Sequence, residues 1–285
     1  MLLKLRPSLT LFLLCCAAGG DSLARAQMAV HINVNQPRPL EAALDKLEKL
    51  MGIPINYEDP RYQCAADLQD TTDQVQSAAQ KAAHPTFRII VPTAGALVFD
   101  SLMPAVPQPV DALAAVTQLV QQHQAKGNSG RFIVKTVGSV LTVEPGAARN
   151  AGCTWTTVSP LMETKIGFAS QTRDATDTLT LILNSLTKQV GVKVGLARLP
   201  MLSFVKKTAT IGANDEPANV VMVRLFEQLS STPSSVFSYH LFFDPATNSY
   251  MADIDVTVPV RAKPLPAGQV QPATGGMLGG APVKK

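Results

Sequence analysis

Val30, Ile32 and Val34 alternate with His31, Asn33 and Asn35. That period of two predicts a strand with one buried face. Pro37 and Pro39 end it, and Pro39 suits the first turn of a helix. Leu40, Ala43, Leu44, Leu47, Leu50 and Met51 follow at spacings of three and four, which puts them on one helical stripe. Gly52 stands where such a helix ends in the left-handed conformation. Ile53, Ile55 and Tyr57 alternate again and predict a second strand. Pro54 removes a backbone donor there, which disfavours a central place for that strand.

The chain then turns polar. Asp67, Asp70 and Asp73 recur every third residue and predict one face of a solvated helix start. They lack the alternating ligands and glycine of an EF-hand loop. Strands are expected at Phe87 to Val91 and Ala96 to Leu102, with a turn between them and a stiff linker from Pro104 to Pro109. Asp111 can cap a helix carrying Leu113, Val116, Leu119 and Val120 that ends near Gly127. RFIVKT and VLTVEP flank Val137-Gly138-Ser139 as a hairpin.

A second series follows: a strand over Glu163 to Ser170, then a helix capped by Thr176 or Asp177 with Leu179, Ile182, Leu183, Leu186 and Val190 on its stripe. Gly191 ends that helix, and Val192 and Val194 start a strand. Thr208 to Ile211, a helix after Pro217, and the hairpin FSYHLFF/SYMADIDV complete the series. In that hairpin Tyr239, Leu241, Phe243, Tyr250, Ala252 and Ile254 should face the core, with Leu241 opposite Ala252 and His240 opposite Asp253. Leu40, Leu44, Leu47, Met51, Gly52, Ile53 and Ile55 map without gaps onto Leu179, Leu183, Leu186, Val190, Gly191, Val192 and Val194. The constant offset points to internal duplication. The fold class is therefore α+β: two related βαββαββ modules over residues 27–150 and 151–258, with helices packed on short mixed sheets. The first module carries a polar insertion.

PLEAALDKLEKLMGIPINYE resembles the secretin and TonB short N-terminal domain, and DTLTLILNSLTKQVGVKV resembles it more weakly. The shared features are leucines at helical spacing, one glycine and an alternating strand. The matching segments cover under a third of the chain. The resemblance implies a bacterial envelope protein that works by contacting other proteins and is not catalytic. No secretin or barrel sequence follows these segments, so the expectation is a free-standing exported protein.

Lys4 and Arg6, the apolar run Leu9 to Ala18, and Ala24-Arg25-Ala26 together read as a signal peptide over residues 1–26. Cys15 and Cys16 leave a lipoprotein open, although Leu13 and Leu14 are bulky for that processing. Cleavage removes Lys4, Arg6, Arg25 and Asp21, so the formal charge falls from +4 to +2. Such a balance gives no electrostatic reason to bind nucleic acid or anionic membrane. No run after the signal qualifies as a membrane span. Residues 259–285 are rich in Pro and Gly and read as a disordered tail.

Two cysteines remain, Cys64 and Cys153, and an oxidising compartment predicts a disulfide between them. The chain has no G-x-S-x-G, H-E-x-x-H, C-x-x-C or Walker motif, and neither metal nor cofactor is expected. His31, His84, His123 and His240 are scattered and read as solvated surface residues. Tyr57, Glu58, Asp59, Arg61 and Tyr62 form the one dense polar-aromatic cluster. Glu58 and Asp59 suit acid–base chemistry in a cleft, but carboxylates beside an arginine after a strand more often order a turn. Trp155 reads as a packing anchor between the modules. The expected work is binding another envelope protein, with His31, Asn33 and Asn35 marking a strand edge open to an extended partner. A cell-wall or small-ligand binder is the alternative, and a periplasmic hydrolase comes third.

Overall fold

The computed structural model describes residues 27–204, 206–230 and 236–258. The expected signal peptide, residues 1–26, and the expected disordered tail, residues 259–285, lie outside them. In chain order the elements are β1 (Gln27–Gln36), α1 (Pro39–Met51), β2 (Ile55–Glu58), β3 (Leu68–Asp70), α2 (Thr72–Val75), α3 (Ala78–Ala83), β4 (Ile90–Pro92), β5 (Gly95–Pro104), α4 (Pro109–Ala125), β6 (Arg131–Val137), β7 (Val140–Arg149) and β8 (Trp155–Thr157). The second series is β9 (Lys165–Asp174), α5 (Ala175–Val190), β10 (Val194–Arg198), α6 (Met201–Phe204), β11 (Thr208–Pro217), α7 (Ala218–Leu229), β12 (Val236–Asp244) and β13 (Ser249–Thr257).

The fold is α+β, and its elements repeat as the constant offset predicts. β1 and β5 form an antiparallel ribbon, as do β9 and β11. Each ribbon lays its apolar face on a helix pair, α1 with α4 and α5 with α7. Each pair packs in turn on three strands, β2-β7-β6 or β10-β13-β12. Gly52 and Gly191 end the corresponding helices at φ 64° and 66°. An L side chain pays for that conformation, and glycine does not.

The two sets of three strands join into one sheet, ordered β10-β13-β12-β2-β7-β6, with β8 added on β7. The joint is a parallel pairing of β12 with β2, His240 opposite Tyr57 and Leu241 opposite Glu58. Side chains alternate across a strand, so each strand at the joint serves two cores. Ile55 and Tyr57 point to α1 and α4, whereas Tyr239, Leu241 and Ile254 point to α5 and α7. The helix pairs therefore cover opposite faces, and each overhangs strands of the other series.

Several expectations change. β2 is central, not peripheral. Pro54 precedes its first residue and so takes no donor from the ladder. Asp67, Asp70 and Asp73 share no helical face: Asp67 is buried in a 3-10 turn, Asp70 caps Thr72 at 2.8 Å, and Asp73 pairs with Lys81. The strand foreseen at Phe87 to Val91 shrinks to Ile90–Pro92. α4 starts from Gln108, with Asp111 completing its capping box, and α5 starts from Asp174. Trp155 is no junction anchor. It lies 40 % exposed on β8, with the Arg131 guanidinium 4.3 Å above its ring. The closing hairpin keeps the expected register, and its six inward residues are buried.

Candidate functional site

Of the dense polar-aromatic cluster, Tyr57, Glu58, Asp59 and Tyr62 are buried at the joint, whereas Arg61 is exposed. Asp59 follows β2 and is fully buried. Its Oδ2 accepts from Arg38 Nε at 2.6 Å and from the Phe243 amide at 3.0 Å. Its Oδ1 accepts from the Tyr57 hydroxyl at 2.8 Å and the Tyr62 hydroxyl at 3.3 Å. Four donors fill the acceptor capacity of one carboxylate. Arg38 also donates to the Phe243 carbonyl at 2.7 Å. Burial works against the Arg38 charge, but Asp59 holds its pKa above the usual guanidinium value. Arg38 adopts φ 57°, between two prolines, to reach this position. The group ties the entrance of α1 to the end of β12.

A second buried group lies beside it. Glu48 of α1 accepts from Ser238 Oγ at 2.8 Å, from Thr257 Oγ1, and from the Ile55 amide at 3.2 Å. His240 is 1 % exposed, contrary to the solvated position expected. Its Nδ1 lies 2.9 Å from Glu41 and its Nε2 3.8 Å from Glu48. Burial lowers the imidazole pKa, but the two carboxylates outweigh it and lift the pKa to about 10. On the other face, Glu58 accepts from the Leu161 and Met162 amides, the latter at 3.0 Å. Burial pushes its carboxyl up to about 8, against the pull of those two donors. His123 is buried as well, packed edge-on to Phe132, and burial alone lowers its pKa to about 4. The His240 group escapes sequence reading because the polar face of β12 is covered by a helix from the other series. His31 and His84 are exposed as expected.

Cys64 and Cys153 form a disulfide, with their Cα atoms 4.9 Å apart. It ties the start of the insertion to the turn before β8. Nearby, Arg61, Gln63, Arg149, Thr156 and Tyr250 line a cleft of about 410 Å³. Arg61 is held by Asn248 at 2.7 Å and Arg149 by Asp67 at 3.0 Å.

The β1·β5 ribbon shows an open surface. All ten residues of β1 pair with β5 without a register shift, which covers one edge of β1. Among the described residues no strand pairs with its other edge. His31, Asn33 and Asn35 are exposed along the outer face. His31 Nδ1 lies 2.6 Å from Asp100 across the ribbon. Val98 and Leu102 are exposed beside them, Leu102 by 68 %. The Asn33 carbonyl accepts from Lys46 at 3.1 Å.

The corresponding β9·β11 ribbon is different. Its register shifts twice. Arg173 donates to the carbonyls of Ala169, Gln171 and Ile211, and Arg224 donates to that of Gly212. Bulges and arginine-capped carbonyls are devices that blunt a strand edge. The two ribbons correspond in position but differ in the edges they leave available.

Among the described residues no group of three His, Cys, Asp or Glu side chains is placed to hold a metal ion. No described helix is long and apolar enough to cross a membrane. Comparison with family models, with curated proteins and with solved structures gives no match.

Proposed function

We propose that this chain is an exported protein of the bacterial envelope that binds another envelope protein through the β1·β5 ribbon. The observation that carries the reading is the contrast between the ribbons. β1·β5 is regular, has a β1 edge with no strand partner among the described residues and exposes polar and apolar side chains around the one acid Asp100, whereas β9·β11 is kinked and four of its carbonyls are capped by arginines. An extended segment can add to such an edge by main-chain hydrogen bonds, with side chains such as Leu102 giving specificity. Displacing the exposed Lys46 contact costs little. The disulfide fits an oxidising compartment. The buried carboxylates of the joint support this reading over catalysis, since Asp59 is saturated with donors and Glu58 is sealed beneath the Leu161 turn.

The test is a photo-crosslinking side chain at His31 or Asn35 in envelope extracts. One dominant protein adduct is expected. Asn33→Pro, with unchanged circular dichroism, should abolish it. Adducts that persist in that variant overturn edge pairing. A retained glycan without a protein adduct would favour a ligand in the cleft beside Arg61 and Arg149.

A further inference from the structure

We infer that the chain associates head to tail with further copies of itself, the β6 edge of one copy adding in parallel to the β10 edge of the next. β10 runs parallel to β13, β13 antiparallel to β12, and β12 parallel to β2. Hence β10 and β2, which correspond in the repeat, run in opposite directions. A half-turn about an axis lying in the sheet across the strands, with a shift of three strands, carries one series onto the other. It also exchanges the faces, as the opposed helix pairs require. This operation does not close on itself. It is heterologous, and repetition extends the sheet instead of ending it.

The joint inside the chain uses β12 of one series and β2 of the other. Their counterparts, β6 and β10, are the two ends of the sheet and have no outer strand partner among the described residues. Their polar groups are set out as at the internal joint. Val137 pairs with Val140 across a two-residue turn, so these two exchange hydrogen bonds. By alternation Ile133 and Lys135 address β7, and Phe132, Val134 and Thr136 turn their amides and carbonyls outward, the Phe132 carbonyl accepting from Gln124 at 2.9 Å. On β10 the Lys193 carbonyl is taken by Tyr250, which leaves Val194 and Leu196 facing out. Val194 and Leu196 correspond to Ile55 and Tyr57. The Ile55 amide is held by Glu48 at 3.2 Å even though β12 is docked beside it, and the Val194 amide is held by Thr187, the counterpart of Glu48, at 2.9 Å. The capped amide therefore belongs to the joint's design and does not block it.

Side chains match as well. Inside the chain α1 overhangs β12, and Glu41 and Glu48 meet His240. The counterparts on α5 are Thr180 and Thr187, which are exposed and half-buried. The corresponding face of β6 offers Ile133, 49 % exposed. Acids cover a histidine at the inner joint. Threonine methyls and hydroxyls would cover an isoleucine at the outer one, with no buried charge to compensate.

The experiment is sedimentation velocity on the disulfide-bonded chain over a concentration series. The weight-average mass should climb past twice the single-chain value without a plateau. Ile133→Asp and Thr180→Asp, surface changes on opposite ends, should each sediment as a single chain. Mixed in equal amounts they should form a dimer that grows no further, because the intact β10 edge of one pairs with the intact β6 edge of the other and only the two altered edges remain. Wild type that stays a single chain at every concentration overturns the inference. So does a plateau at dimer, or association of Ile133→Asp alone, since either indicates an isologous contact. The inference does not rest on the ribbon reading. Asn33→Pro leaves this association unchanged, so the two can fail separately.

Discussion

Arg38 and Asp59 show what a buried pair demands. Arg38→Met strips Asp59 of its counter-charge inside the joint and should cost about 3–5 kcal/mol in urea unfolding. Adding Asp59→Asn should restore much of that loss. A double variant no more stable than the single one would show that packing of the arginine stem matters more than its charge. The titrating residues set the pH profile. His240 has its folded pKa raised to about 10 from 6.5, so its contribution is complete below 6.5 and is lost as pH rises toward 10. Glu58, raised to about 8 from 4.5, acts in the same sense between those values. His123, lowered to about 4, acts oppositely, and its contribution is complete above 6.5 and lost as pH falls toward 4. Melting temperature should fall on the alkaline side, and His240→Gln should flatten that limb while lowering its starting point. His123→Leu should flatten the acid limb.

At the level of elements, the pattern of apolar residues was enough to find α1, α5, the closing hairpin and the repeat. Leucines at three and four, a glycine stop and alternating strands are local signals, and local packing obeys them. The insertion resisted because its strands span only three residues each and are fixed by contacts far away, such as Asp67 with Arg149 and Ser129. The glycine stops can be tested directly. A methyl group at Gly191 meets nothing within 4 Å, so Gly191→Ala probes the left-handed backbone alone. It should cost about 1–2 kcal/mol in chemical unfolding. A loss near zero would mean that the α5 end relaxes out of that conformation.

For the whole molecule, sequence reading found two modules but not their union. Nothing local in His240 or Ser238 says that a helix from the other series lies above them. Polar alternation looked like solvent exposure because half-buried strands usually face water on one side. The same blind spot hid the roles of Glu41, Glu48 and Glu58, and it made Pro54 look like an edge marker. The cysteines were legible because only two of the four lie outside the expected signal peptide. Their bond closes a loop with a sequence separation of 89, for which chain entropy gives about 4–5 kcal/mol. Reduction, or Cys64→Ser with Cys153→Ser, should lower stability by up to that amount in guanidinium titrations. Residues 27–150 expressed alone should be poorly soluble, because β2 would then expose the edge and the Asn56–Glu58 face that β12 and the Leu161 turn now cover.

The late position of β12 along the chain bears on how the protein is made. β2 ends at Glu58, whereas its neighbour in the sheet begins at Val236. A chain threaded across a membrane from its amino end would deliver the first core and both cysteines long before that neighbour arrives. During the interval β2, at the middle of the future sheet, keeps one unpaired edge, and Glu41 and Glu48 beside it lack His240, the kind of surface that invites wrong partners. Long-range pairing of this sort is slow to form. In a chain so threaded, assembly would finish at its centre and not at its periphery, and a holding chaperone would have its greatest effect before the last hairpin emerges.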